Sequence, residues 1–137
     1  MDEKEFEKMQ KELTNEKQQI EESIQNWDEE LSNHNNQLKD LTAIQEEVDR
    51  LNESINECIS IVSSSIGNNN VSKRCSLMQQ DNNKAYKRSS GTVEKALEDT
   101  NETIKTLQEK IEQSEEEREE IENQLAENEE LFKNQET

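Results

Sequence analysis

An apolar residue recurs in alternating steps of four and three along the first half of the chain, and this spacing constrains the fold more than any other feature. Starting from Phe6, the steps reach apolar side chains at thirteen of eighteen positions. A repeat that averages 3.5 residues over about sixty residues is typical of a left-handed coiled-coil seam. The eighteen positions are Phe6, Gln10, Leu13, Lys17, Ile20, Ile24, Trp27, Leu31, His34, Leu38, Leu41, Gln45, Val48, Asn52, Ile55, Ile59, Val62 and Ile66.

The repeat is interrupted once and then resumes. The segment 67–70, Gly-Asn-Asn-Asn, combines a residue that tolerates the left-handed conformation with a polar run, as the end of a helix and a turn require. The same steps start again at Tyr86 and reach apolar residues at nine of fourteen positions as far as Phe132. The sequence therefore predicts a helix over 3–66, a turn over 67–71 and a helix over 72–134.

Two helices of nearly equal length around one turn favour an all-α fold, a long antiparallel two-helix coiled-coil hairpin that forms one domain over residues 1–137. In this register Leu13 faces Leu125, so that apolar positions find apolar partners. We expect an irregularity or a kink near residues 77–91, where the apolar residues fall out of phase, and a break at 89–92, where Gly91 interrupts the helix. The alternative is one continuous helix in a parallel homodimer.

A hairpin with a single narrow seam is marginally stable alone. We therefore expect the seam to take part in binding a partner, either a second copy of the chain or another helical protein, in a bundle of three or four helices. The seam residues predicted to contribute most are Ile20, Ile24, Trp27, Leu31, Leu38, Leu41, Val48, Leu97, Ile104, Leu107 and Ile111.

Composition limits the other classes of protein. Only 27% of the residues are hydrophobic and the net charge is −18, a combination that leads to disorder unless long helices form. The chain contains no proline and only two glycines, which suits helices. No apolar run reaches the length of a bilayer span, and the first five residues do not resemble a positively charged signal-peptide start. We expect a soluble, cytoplasmic chain without membrane insertion.

Basic residues are concentrated next to the predicted turn. Five cations and one acidic residue, Asp81, give residues 71–91 a net charge of +4, whereas 1–70 and 92–137 each carry −11. This basic tip either offsets the acidic arms or docks an acidic partner surface. Nucleic acid is not an expected partner, because the acidic arms repel phosphate and Tyr86 is the only aromatic residue nearby. The five cations are Lys73, Arg74, Lys84, Lys87 and Arg88.

The sequence gives no indication of catalysis, a metal or a cofactor. It lacks a nucleotide loop or a nucleophile with a base, and Glu115–Glu120 is interpreted as a solvated helix face. Cys58 and Cys75 lie nine and eight residues from Gly67, so that a hairpin places them at similar heights on opposite helices. They are either bridged by a disulfide or two reduced, small apolar residues.

The late heptad residues Ile104, Leu107 and Ile111, together with the chain length and the two long helices, resemble the YwqH-like proteins encoded beside LXG toxins of Gram-positive type VII secretion. This resemblance implies a hairpin that binds the helical N-terminal region of the toxin and accompanies it to the secretion machinery. It also implies that Phe132 and Glu136 form an aromatic-x-x-x-acidic export signal, and that the chain is co-exported.

Two other functions remain compatible with the sequence. A prefoldin-like chaperone would clamp unfolded clients between helical arms, although residues 67–91 lack the strand-forming apolar residues that prefoldins have between their helices. A structural scaffold or tether would require only the length of the helices.

Overall fold

The protein consists of two long helices that pack against each other as a helical hairpin. A computed structural model describes residues 2–136, with the side chains of residues 2–135. Helix α1 covers Glu3–Ser65 and helix α2 covers Asn69–Glu136, so residues 66–68 form the connection. The predicted all-α hairpin is confirmed, and the alternative of one continuous helix is wrong.

Polar side chains at the helix starts explain where the helices begin. Asp2 precedes α1 and accepts a hydrogen bond at Oδ1 from the backbone N–H of Glu5, at 2.8 Å. Asn68 precedes α2 and accepts a bond at Oδ1 from the backbone N–H of Asn70, also at 2.8 Å. Both are N-cap interactions, which satisfy backbone donors that lack a partner within the helix.

Two predictions about glycine are wrong. Helix α2 continues through residues 89–92, so the break expected at Gly91 is absent. A glycine inside a helix costs only about 1 kcal/mol relative to alanine, which the surrounding turns of a 68-residue helix can tolerate. Gly67 does not adopt a positive φ, so the connection does not use the left-handed conformation, and the Asn68 cap starts α2 three residues earlier than predicted.

The chain divides into two compact units. The terminal unit comprises Met1–His34 and Thr103–Thr137, and the turn unit comprises Asn35–Glu102. The terminal unit carries eight basic and twenty-three acidic residues, a net charge of −15, whereas the turn unit carries eight and eleven, a net charge of −3. Each unit contains a segment of both helices.

The terminal unit has an apolar seam with the predicted register. Phe6 stacks on Phe132 with ring centroids 4.2 Å apart. This pair fits the register in which Leu13 faces Leu125, because Phe6 lies seven residues before Leu13 and Phe132 lies seven residues after Leu125. Ion pairing reinforces the seam at Lys17, whose Nζ lies 3.2 Å from Glu122. The buried apolar side chains of this unit are Ile24, Ile104, Leu107, Ile111 and Ile121.

Candidate partner-binding surface

In the turn unit, polar side chains join the two helices beside apolar ones such as the buried Ile59 and Cys75. Asn82 of α2 donates from Nδ2 to the side-chain oxygens of Asn52, at 3.0 Å, and Asn56, at 3.2 Å, both on α1. Gln45 donates from Nε2 to the hydroxyl of Ser90 at 3.1 Å. All five side chains are half-buried, so these amides and this hydroxyl form the inside of the seam.

Tyr86 adds a charged hydrogen bond to the same seam. Its hydroxyl donates to Oδ1 of Asp49 at 2.6 Å. The hydrogen bond to Asp49 and partial desolvation raise the pKa of Tyr86 above its ordinary value, because the aspartate stabilises the protonated phenol. This interaction ties α1 to α2 only while the phenol carries its proton.

Apolar side chains that the heptad repeat assigns to the seam are exposed in the turn unit. Val62 and Ile66 are 43% and 46% exposed, whereas the predicted seam residue Ile59 is only 7% exposed. Asn56 and Ser63, each one residue beyond a predicted seam position, are half-buried in their place. From Asn52 onward the seam on α1 keeps Asn52 and Ile59 but replaces Ile55 by Asn56 and Val62 by Ser63. This local rotation of the seam turns an apolar row toward solvent.

The apolar row has a coiled-coil spacing of its own. We call it the outer stripe, and its members follow one another in steps of four and three: Ile44, Val48, Leu51, Ile55, Cys58 and Val62. Ile44, Leu51 and Ile55 are between 42% and 49% exposed. Of the nine large apolar side chains that are exposed among the described residues, eight lie in the turn unit and only Leu131 lies in the terminal unit.

Two shallow pockets show that the outer stripe continues onto α2. One, of about 140 Å³, lies between Leu51 and Ile55 on α1 and Ala85 on α2. The other, of about 120 Å³, lies between Val62 on α1 and Met78 on α2. Since Ala85 follows Met78 by seven residues, as Ile55 precedes Val62 by seven, the pockets open on the same side. We call this side, formed by the outer stripe with Met78 and Ala85, the groove.

The opposite side of the turn unit is polar. A pocket of about 240 Å³ there is lined mainly by small hydroxyl side chains. The turn unit is therefore amphipathic, with an apolar side and a polar side. This is expected of a unit that another protein covers on one side only. The serines of the polar side are Ser60, Ser63, Ser64, Ser72 and Ser76.

The predicted seam residues divide between the two units. Ile24, Ile104, Leu107 and Ile111 are buried, and the remaining members are half-buried along the contact between α1 and α2. Sequence reasoning missed the outer stripe, although a signal was present. At the polar seam positions Gln45 and Asn52 the preceding residue is apolar, which marks a second row beside the first. The half-buried members are Ile20, Trp27, Leu31, Leu38, Leu41, Val48 and Leu97.

The cysteines line one pocket and differ in exposure. Cys58 is exposed and belongs to the outer stripe, whereas Cys75 is buried at 6% exposure. Both carry free thiols, and the disulfide stays a prediction.

The basic tip residues Lys73, Arg74, Lys84, Lys87 and Arg88 are all exposed on α2. Within the described part of the chain, none of their side chains has a carboxylate oxygen within 4.0 Å. These cations are therefore available to a partner.

The candidate export signal is only partly described. The ring of Phe132 is half-buried against Phe6. The side chain of Glu136 lies outside the described residues.

The described part of the chain offers neither a metal site nor a membrane span. The described side chains, those of residues 2–135, include no group of three or more His, Cys, Asp or Glu arranged to hold a metal ion. Neither described helix has a stretch apolar enough to cross a bilayer.

No protein-family model, curated protein or solved structure matches the chain.

Proposed function

We propose that the protein is a non-catalytic adaptor that uses the groove of its turn unit to bind a helix of another protein. The observation that carries this proposal is the outer stripe, a row of apolar side chains with coiled-coil spacing, of which all but the half-buried Val48 are exposed. Monomeric proteins rarely expose contiguous apolar patches larger than a few hundred Å², and larger ones mark interaction sites. A further helix in the groove would bury the stripe and complete a three-helix bundle.

The partner that best fits this role is the helical N-terminal region of a secreted LXG-type toxin, with the adaptor acting as a targeting chaperone for type VII export. This part of the proposal rests on the resemblance of the chain to the YwqH-like proteins. In that role the chain resides in the cytoplasm until it is exported together with the toxin. The three-residue connection 66–68 speaks against a prefoldin-like subunit, because it leaves no room for strands between the helices.

Co-expression with the N-terminal region of a toxin encoded beside the chain tests this function. We expect a stable complex that survives gel filtration, and we expect Ile55→Asp to abolish it, because a carboxylate would be buried in the apolar groove. Leu131→Asp is the matched control, since Leu131 is similarly exposed but lies in the terminal unit. Failure of the wild-type chain to bind that region would refute the toxin partner.

A further inference from the structure

The two rims of the groove carry different charges. On α2, Arg74, Asp81 and Arg88 are spaced by seven residues and so lie on one helix face. Met78 and Ala85 each follow a member of this row by four residues, which places the row directly beside the floor of the groove. The α2 rim therefore presents two arginines and one aspartate, and the arginine side chains have no carboxylate within ion-pair distance among the described residues.

The α1 rim is almost uncharged. Glu47, Ser54 and Ile61 repeat every seven residues and flank the outer stripe on the side away from α2. The carboxylate of Glu47 is paired with the guanidinium of Arg50, and the hydrogen bond from Arg50 lowers the pKa of Glu47. An occupant of the groove thus meets positive charge on one side and little net charge on the other.

A second copy of the chain does not supply the complementary surface. Its turn unit offers an apolar stripe, but the same arginines would border that stripe and repel those of the first copy. Its terminal unit is strongly acidic but exposes only one large apolar side chain, Leu131, among its described residues. Neither surface combines an apolar row with an acidic flank.

We infer that the groove takes a single amphipathic helix from a different protein, with an apolar 3-4 repeat on one face and acidic residues along the flank that lies against Arg74 and Arg88. The outer stripe runs from Ile44 to Val62, so the docked helix covers about five turns, roughly 28 Å. This inference rests on the proposed adaptor function and adds the chemistry of the partner, whatever protein supplies it.

Two synthetic peptides of about 21 residues test the inference. They share Leu and Ile at the heptad core positions and Gln on one flank, and they differ on the other flank, which is Glu in one and Lys in the other. Binding to the full chain is measured by fluorescence anisotropy at about 0.15 M salt, where the Debye length is about 8 Å. We expect the Glu peptide to bind about tenfold more tightly, because the arginines lie in direct contact with the flank.

The net charge of −18 makes this a demanding test, since non-specific attraction would favour the Lys peptide. We expect the double variant Arg74→Glu/Arg88→Glu to reverse the preference. The control Lys73→Glu/Lys87→Glu makes the same change in net charge on the far side of α2. We expect this variant to retain the preference for the Glu peptide. Circular dichroism verifies that each variant remains helical.

Several results would overturn the inference. Equal affinity for the two peptides, or tighter binding of the Lys peptide, would show that the rim does not select an acidic flank. If Ile55→Asp still abolished the binding of both peptides in that case, the adaptor function would be supported and only the selectivity for an acidic flank would be refuted. Absence of binding by either peptide, together with a dimer that Ile55→Asp dissociates, would identify a second copy as the occupant.

Discussion

The terminal unit and the turn unit are built from the same two helices but differ in which side chains lie between the helices and which face solvent. In the terminal unit Leu107 and Ile111 are buried between the helices, and only Leu131 is exposed among the large apolar residues described there. In the turn unit Asn52 and Asn82 bond to each other between the helices, while Leu51 and Ile55 face solvent. The difference shows that a heptad repeat specifies which rows are apolar, but not which row meets the neighbouring helix.

The turn unit contains two adjacent candidate rows on α1. A helix that packs against one neighbour can bury only one narrow row. The row containing Asn52 and Asn56 is the one that finds hydrogen-bond partners on α2, notably Asn82. The outer stripe therefore stays uncovered in the single chain, and in the proposed complex it is the surface that contacts a third helix.

The largest expected effect comes from truncating leucine in the terminal unit. Leu107→Ala should lower the free energy of unfolding by about 2–3 kcal/mol, because Leu107 is 5% exposed and its loss leaves a cavity. The matched change Leu51→Ala in the turn unit should cost less than about 1 kcal/mol, because Leu51 is already 46% exposed. Urea unfolding followed by circular dichroism measures both. Equal losses would remove the distinction between the units.

A smaller effect is expected for the polar seam. Asn82→Ala removes the donor that Asn52 and Asn56 share, and we expect a loss of about 1 kcal/mol in the free energy of unfolding. Asn83→Ala serves as the control, because Asn83 is exposed on the same helix. If both variants unfolded at the same urea concentration, the asparagine contacts would not stabilise the turn unit.

The ion pair of the terminal unit should contribute less. Lys17→Met keeps the aliphatic stem but removes the charge that lies 3.2 Å from Glu122, and we expect a loss below about 1 kcal/mol. The loss should vanish at about 1 M salt, where the Debye length is about 3 Å. Lys11→Met is the exposed control. A loss that persists in high salt would indicate packing rather than charge.

The smallest effect is confined to alkaline pH. We expect the single tyrosine, Tyr86, to titrate above its ordinary pKa of about 10 in the folded chain, as measured by ultraviolet absorbance. The contribution of its bond to Asp49 is fully present below the unfolded pKa and is lost as the pH rises through the raised folded pKa. Asp49→Asn should lower the midpoint, whereas Glu47→Gln should not. An unchanged midpoint in Asp49→Asn would contradict the assigned cause.

The sequence predicted the helices and their antiparallel register because both depend on features that periodicity records directly. The pairing of Phe6 with Phe132 follows from the spacing alone once the turn is placed near Gly67. The rotation of the seam in the turn unit could not be predicted in the same way. It depends on the competition between burying Ile55 and satisfying the amides of Asn52, Asn56 and Asn82, and that competition is decided by contacts across the hairpin.

The start of the second helix and its continuity through Gly91 were not predicted by the periodic signal. A glycine such as Gly91 is a typical signal of a helix break in a sequence, but a long helix tolerates it at a modest cost in free energy. The candidate site was missed for a related reason. The outer stripe is exposed because Asn82 and Tyr86 of α2 form hydrogen bonds with the neighbouring row of α1, which therefore faces α2 in its place.

The accessibility of two thiols introduced three residues apart tests the rotated seam most directly. In a chain with Cys58→Ser and Cys75→Ser, the variants Ile59→Cys and Val62→Cys each place one thiol at a position that the heptad repeat assigns to the seam. Because Ile59 is 7% and Val62 is 43% exposed, we predict that Val62→Cys reacts with a maleimide much faster than Ile59→Cys. Equally slow reaction at both positions would show that the apolar row is buried and would contradict the account.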